Sequence, residues 1–453
     1  MNQLINNMDL SDLSQIKTKV HPLNLSLKQK VKNPELFITD RPAHKIRLLT
    51  YNIQMIPKVL SGTFRSGYQE ERLLDIFKSL DNYDIVCLQE AWGFFQEIKQ
   101  MIQIYSQKAG FLYYTETRDP AFASTYLGDS GLIILSRFEI KKSHFIQFSF
   151  GIHNDGWSRR GVQYAQISIG GKMIEEHGGT RKIKDSAVLH LFTSHMQSSY
   201  YFPTDVAPQI LKQAIQCRTE QIRELSSLIS EQVKLQNLSS QDMILLTGDL
   251  NICGKEIDQI LTKKLIAENP DFQPVLKELY MEYRILIELL SNGQKHEVIN
   301  MLELDLKDKY KSICTYGDYY INEIGQPIAY DQVLTVKNEQ CSKELLDYIF
   351  NIRINEGING SQYNSNTQTE QSNFSSSNIN VNELITSDNG KISSQSSLKL
   401  VPGSCQVQKF LIKGRTYTQL SDHYGLSIDL EYIEKETFDE FDNEIDAAVQ
   451  LDI

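Results

Sequence analysis

Apolar runs in this chain repeatedly stop at a carboxylate, a carboxamide or an imidazole. "LLTYN" ends at Asn52, "IVCLQE" at Glu90 and "LFTSH" at His195. "MILLTGDLN" ends at Asp249 and Asn251, and "LSDHYG" sets Asp422 and His423 just before the final apolar run. Taken singly, Asn52 is a turn former and His195 a hydrogen-bonded core histidine. Taken together they are hard to explain as turns, because strands of one sheet bring their ends to one edge and the groups can converge. Carboxylates and imidazoles move protons near neutral pH, and carboxylates hold hard cations. Carboxamides donate hydrogen bonds to oxyanions. The chemistry on offer is acid–base work beside a cation.

The elements that would hold these groups alternate between strand and helix from residue 45 onward. "KIRLLTYNI" (45–53), "DIVCLQE" (84–90), "GLIILS" (131–136), "AVLHLFTSH" (187–195) and "LLDYIFNIR" (345–353) have strand composition. "VQYAQISI" (162–169) alternates strictly, which predicts a strand with one wet face. Apolar residues at 73, 74, 76, 77 and 80 predict an amphipathic helix over 70–80, and similar patterns predict helices over 94–105 and 206–233. Residues 1–44 lack sustained periodicity and read as a weakly structured extension. Residues 255–310 read as a helical insertion broken at Asn269-Pro270 and Asn292-Gly293. The stretch 357–398 is rich in Ser, Asn and Gln and cannot offset its ordering entropy, so a disordered loop is expected there. Residues 432–453 form an acidic tail.

Composition narrows the class. A chain of 453 residues with 41% apolar and 23% charged side chains has a globular profile. A net charge of −11 argues against general attraction to nucleic-acid phosphates, so no specific nucleic-acid partner is expected. The six cysteines are scattered with no zinc-ligand spacing, which predicts free thiols in a reducing compartment. No leader pattern opens the sequence, and no run approaches the roughly 18 apolar residues of a membrane span. The expectation is a cytoplasmic protein, peripheral at membranes where it meets them. The sequence leaves the oligomeric state open.

In this order the motifs resemble the endonuclease/exonuclease/phosphatase superfamily, whose fold is of DNase I type. The pattern stands here as Asn52, Gln89-Glu90, Gly248-Asp249-Leu250-Asn251, Leu346-Asp347-Tyr348 and Ser421-Asp422-His423. The resemblance runs from about 45 to 431 and implies an α+β, four-layer α/β sandwich of two packed mixed sheets flanked by helices. It implies phosphodiester hydrolysis with Mg²⁺, or Mn²⁺ in its place, held by Glu90 with Asn52 and Asp422 assisting. His423 is then the general base and Asp347 its orienting carboxylate. Asn251 and His195 donate to the transition state, and Asp249 sits beside the leaving or attacking oxygen.

Within the superfamily, "LFTSHMQSSY" (191–200), "RTEQIREL" (218–225), "SRRGVQYAQISIGGK" (158–172) and, loosely, "CTYGD" (314–318) resemble the neutral sphingomyelinase branch. That resemblance implies a phosphosphingolipid substrate with a choline, ethanolamine or inositol phosphate headgroup. Arg160, Tyr200 and Tyr316 would contact the substrate, and the aromatic loop "SSYYFPTD" (198–205) would touch the membrane interface. A nuclease reading is weighed down by the acidic balance. An inositol polyphosphate phosphatase reading is weighed down by "LLDYIF" where that group's own signature would stand.

Overall fold

The structure, a computed structural model, describes residues 45–56, 67–92, 97–115, 128–170, 172–175, 181–184, 186–256, 258–355 and 396–433. The extension 1–44, most of the Ser/Asn/Gln-rich stretch and residues 434–453 lie outside the described residues. Two mixed sheets form the centre. Strands are numbered in chain order. The first sheet runs β15 (Ser397–Leu400), β17 (Gly425–Ile433), β1 (Lys45–Asn52), β2 (Ile85–Gln89), β4 (Ile133–Ser136), β3 (Tyr113–Tyr114), with β16 (Gln406–Gln408) also paired to β17. The second runs β11 (His296–Asn300), β14 (Asp347–Ile354), β10 (Met243–Asp249), β9 (Ala187–His195), β6 (Gly161–Ile169), β5 (Glu139–Gln147). Two separate hairpins are β7 (Lys172–Glu175) with β8 (Arg181–Lys184), and β12 (Tyr319–Ile321) with β13 (Pro327–Ala329).

Alternation along β1 explains the layering. Ile46 and Leu48 join the core shared with the second sheet, where Leu189, Leu191, Leu245 and Ile349 also lie. Leu49 and Tyr51 point the other way into a second core with helices α1 (Gln69–Ser79) and α2 (Glu97–Lys108). On the far side of the second sheet, α3 (Ala207–Leu235) contributes Ile222, Leu225 and Ile229 to the central core. The order is therefore helices, sheet, sheet, helices, the four-layer α+β sandwich expected from the motifs.

Several expectations need correction. Strand β6 has no wet face: of its nine residues only Gln166 is even partly exposed. Tyr164 bonds His190 (2.8 Å), and the Gln163 amide donates to the His144 carbonyl (3.3 Å). The stretch 255–310 is not all helix. It holds α4 (Gln259–Glu268), α5 (Phe272–Leu290) and α6 (Met301–Leu306), but His296–Asn300 forms β11, the edge of the second sheet, paired to β14. Residues 397–398 belong to β15, so the predicted loop ends sooner than its composition suggested.

The Arg-x-x-Gln-x-x-Glu spacing on α3 has a structural use. Arg218, fully buried, donates to both carboxylate oxygens of Glu282 on α5 (2.6 and 2.8 Å) and to the Gln197 carbonyl (2.9 Å). Gln221 accepts from the Gln197 amide (2.9 Å) and donates to the Phe150 carbonyl, while Glu224 accepts from the Ser149 amide (3.0 Å). One helix face thus fixes the chain just beyond His195. Removing one partner of a buried ion pair leaves an uncompensated charge. Arg218→Met should cost about 3–5 kcal/mol of stability in urea denaturation. Adding Glu282→Met should recover at least half of that loss, and a double variant as unstable as the single would show that the charge is not what matters.

Candidate active site

Sheet register places three of the expected groups side by side. In the parallel pair β9–β10, His195 stands opposite Asp249. In the antiparallel pair β10–β14, Asp249 stands opposite Asp347. The glycine before Asp249 permits this packing. Gly248 has φ +126, and a Cβ there would strike the Ser194 carbonyl on β9. In the first sheet Asn52 stands opposite Gln89, and Glu90 follows in the left-handed region at φ 53. That turn swings the Glu90 carboxylate toward the second sheet.

Asn52 joins the two sheets. Its buried amide donates to Glu90 Oε1 (3.2 Å) and to Asp249 Oδ2 (3.0 Å). One residue deeper, Gln89 on β2 donates to Thr193 on β9 (3.1 Å) and to Thr50 on β1 (3.1 Å). The last strand end closes the ring: His423 Nδ1 lies 2.9 Å from Asp347 Oδ2, and its Nε2 lies 3.8 Å from Asp249 Oδ2. His195 Nε2 is 3.5 Å from the same Asp249 oxygen and 3.9 Å from Glu90 Oε1.

Burial sets the electrostatics. Burial alone lowers the basicity of His423, but the carboxylates of Asp347 and Asp249 outweigh it and hold its pKa well above the ordinary histidine value. His195 goes the other way. Burial, Arg160 and His423 all lower it, so its imidazole is neutral, and its contacts with Asp249 and Glu90 are polar contacts rather than ion pairs. The Asp249 carboxyl is pushed up to about 7, chiefly by burial, with His423 opposing and Asp347 adding. Asp422 is likewise pushed up to about 7 by burial, His423 again opposing and Glu90 adding.

The remaining sequence candidates stand in different relations to this ring. Asn251, at φ 54, spends one amide hydrogen on the Met196 carbonyl (3.0 Å), and its backbone N–H donates to Asp249 Oδ1 (3.0 Å). Asp422 is tied in through Gln54, which donates to it at 2.7 Å. The ring of Tyr316 lies 4.9 Å from that of His423, and its hydroxyl donates to Glu339 (2.5 Å), so Tyr316 walls the imidazole. Arg160 does not present a free fork. It is buried, donates to Asp155 (2.5 Å) and the Met196 carbonyl, and reaches Ser198 Oγ (3.3 Å). Tyr200 packs edge-on to His153 with its hydroxyl toward Asp155. Its neighbour Tyr201 is buried and donates to Glu344 (2.9 Å), so the loop 198–205 is anchored inward and not spread at the surface.

Sequence reading passed over Arg72 and Gln54. Arg72 is fully buried and donates to the carbonyls of Ile53 (3.1 Å), Gln54 (2.7 Å), Gly67 (3.0 Å) and Leu420 (2.8 Å). It straps the chain after Asn52 to the chain before Ser421. The signal was present: Arg72 falls on the apolar stripe of α1 with Leu73, Ile76 and Phe77.

The donor set suits a hard divalent cation. Glu90 Oε2 and Asp347 Oδ1 are buried oxygens without a hydrogen-bond partner, the state of an acceptor that lacks its cation. Ligand atoms of Asp249, Asp347 and His423 also lie within 4.8 Å of one another. Of these, Asp347 Oδ2 is already committed to His423 Nδ1, which leaves Glu90 the less encumbered carboxylate.

The model of the Endonuclease/Exonuclease/phosphatase family matches residues 49–271, which carry Asn52, Glu90, His195, Asp249 and Asn251. Over those residues, just under half of its length, the chain is similar to that family. It is therefore an enzyme of phosphodiester hydrolysis, in keeping with the ring of groups at its strand ends. A sphingomyelinase of Dictyostelium discoideum is 28% identical over 377 residues, 78% of this chain and 72% of its own length. A phospholipase C of Staphylococcus aureus is 23% identical over 316 residues, 67% of this chain and 77% of its own. Among solved structures, sphingomyelinase C from Streptomyces griseocarneus aligns with TM-score 0.44 at 16% identity, covering 86% of this chain and 99% of that one. A beta toxin variant from Staphylococcus aureus with bound magnesium ions aligns with TM-score 0.45 at 17% identity, covering 85% of this chain and 99% of that one.

Two outcomes follow from the geometry. His423→Ala should lower kcat about 10²–10⁴-fold, the range for a lost general base, and Asp347→Asn by less, since that amide still fills the place beside Nδ1. If Asp347→Asn is the more damaging, the two roles are misassigned. Behind the ring, the Glu344 carboxyl is pushed up to about 7 by burial, the Tyr201 hydrogen bond opposing and Glu339 adding. Its folded pKa lies above the unfolded value, so the stability it contributes is present at low pH and is lost as pH rises through about 7. Glu344→Gln cannot ionise. Its stability relative to the wild type should rise between pH 5 and pH 8 in urea titrations, and a pH-independent difference would contradict this.

Proposed function

We propose that this chain is a Mg²⁺-dependent phosphodiesterase that hydrolyses sphingomyelin or a related phosphosphingolipid to ceramide and a phosphorylated headgroup. The observation that carries the lipid assignment is the relationship to the Dictyostelium sphingomyelinase, which spans 78% of the chain. Sequence features favour the same reading: "TSHMQSSY" follows β9 into the segment fixed by α3.

In this reading the neutral form of His423 takes a proton from water through Nε2, while Asp347 holds its Nδ1 and stabilises the imidazolium that results. The water oxygen bonds to phosphorus, and the bond from phosphorus to the ceramide oxygen breaks. Asp249 stands between His195 and Asp347 in the register and serves the attacking or leaving oxygen. The free amide hydrogen of Asn251 donates to the phosphate as charge develops. Glu90, with Asn52 and Asp422 near it, would hold Mg²⁺. When bound, the cation neutralises phosphate charge and favours the ionised nucleophile. Arg160 and Tyr200 serve through the segment they brace rather than by direct contact.

The test is a purified-protein assay on sphingomyelin in mixed micelles, beside plasmid and abasic oligonucleotide, with Mg²⁺ titrated into protein stripped by EDTA. Hydrolysis of the sphingolipid should appear only with the cation. Glu90→Ala should remove it while the melting temperature changes little. Faster cleavage of the abasic strand than of the lipid would move the chain to the nuclease branch, and metal-independent turnover would remove the cation from the reading.

A further inference from the structure

Residues 319–330 form the most outward apolar excursion among the described residues. Strands β12 and β13 pair only with each other, in the register Tyr320 to Ile328 and Ile321 to Pro327. Ile324 at the turn is 76% exposed, Ile321 55% and Tyr320 45%; Tyr330, at the foot, is 44% exposed. Over these twelve residues the sequence "YYINEIGQPIAY" carries a single formal charge at neutral pH, Glu323, in a chain that is 23% charged overall. An isolated two-stranded hairpin is marginal in water, so side chains at its tip gain nothing from a sheet face.

The foot of the hairpin is fastened to the catalytic ring. Asp318 accepts from the hydroxyl of Tyr424 (3.2 Å), the residue after His423, and its carbonyl receives the Tyr330 amide (3.0 Å). Tyr316, two residues before Asp318, bridges to His423. Lysines gather at the foot and not at the tip. Lys409 bonds Asp318 (2.8 Å) and lies over the rings of Tyr330 (5.2 Å) and Tyr424 (4.9 Å), and Lys343 lies over Tyr319 (4.8 Å). From the turn downward the order is therefore Ile324, then Ile321 and Tyr320 on β12, then Tyr330 at the foot with lysines of neighbouring segments over the tyrosine rings there. That gradient matches the passage from acyl chains through the interface to headgroup phosphates.

We propose that this hairpin is the element that docks the enzyme on a lipid bilayer, with Ile321 and Ile324 entering the acyl boundary and Tyr320 and Tyr330 lying at headgroup level. The occupant is a zwitterionic bilayer surface, because the insertion is apolar and the single charge near the tip is negative, which gives no preference for anionic lipid. The inference rests on the reading of the substrate as a membrane lipid. It places membrane contact on a different segment from the aromatic loop 198–205, whose Tyr201 is held in the core by Glu344.

Ile321→Ser with Ile324→Ser tests it, since both side chains are exposed and neither takes part in the ring. Co-sedimentation with large vesicles of phosphatidylcholine and sphingomyelin should show at least a tenfold loss of partitioning, less than two fully buried isoleucines would supply. Turnover of a short-chain sphingolipid below its micelle concentration should stay within twofold. Ile324→Trp should gain a blue-shifted emission on adding vesicles. Unchanged partitioning of the double variant, or no shift from the tryptophan, would overturn the proposal. So would loss of a wild-type dimer in sedimentation velocity with vesicle binding intact, which would assign the hairpin to a second copy of the chain. Failure of the substrate reading is distinguishable: the wild type would bind vesicles but leave the short-chain lipid uncleaved.

Discussion

The Asn52 carboxamide is the point on which the rest of the site turns. Two sheets can slide over an apolar interface with little penalty, because hydrophobic contact is non-directional. A hydrogen bond across that interface removes the freedom. Asn52 ends a strand of the first sheet and donates to Asp249, which ends a strand of the second, while its other bond holds Glu90 beside it. Gln89 and Thr193 repeat the tie one layer down. These bonds are buried, so water does not compete for them, and a slip that broke one would leave an unsatisfied group worth about 1–3 kcal/mol. The relative position of the sheets, and with it the distance between the two halves of the site, is fixed by a few polar atoms in an otherwise apolar core.

Gathering charge at that rim creates a second constraint. Asp249, Asp347 and His423 are all buried, and Asp422 stands behind them. Burial disfavours charge. His423 resists because two carboxylates face it. Arg72 adds a permanent cation in the layer below, with no carboxylate of the described residues bonded to it, so that its charge acts on Asp422 while its N–H groups hold the two flanking segments. One residue thereby serves both positioning and charge. Arg218 and Glu282 do the comparable work on the other side of the second sheet, where a matched pair is buried whole.

What could be read from sequence follows from how local the signal is. Strand ends at Asn52, Glu90, His195 and Asp249 were legible because an apolar run stops at a polar residue, and that pattern needs no knowledge of neighbours. The convergence of Asp347 on His423 depends on a pairing of β14 with β10 that no local pattern encodes; motif order supplied it instead. Strand β6 misled because alternation predicts a wet face only when nothing covers it, and here both of its sides are covered. Strand β11 was hidden inside a stretch read as helix, being five residues between two helices. Arg72 sat in plain view on an apolar helix stripe, and a charge on that stripe is itself a sign that its partners lie inside.

Surface chemistry was the least legible, for a related reason. The loop 198–205 and the hairpin 319–330 are similarly aromatic in sequence, and composition ranks the first higher because its tyrosines are adjacent. Tertiary partners reverse the order. Tyr201 finds the Glu344 carboxylate and Phe202 packs on the core of α4 and α5, so those rings become structural. Ile321 and Ile324 stay exposed, and among the described residues β12 and β13 pair only with each other. On the proposed function, an apolar side chain left exposed at the end of an element rooted beside His423 would set how closely that histidine approaches a surface, and the ring of buried groups would set the angle from which a substrate embedded there enters.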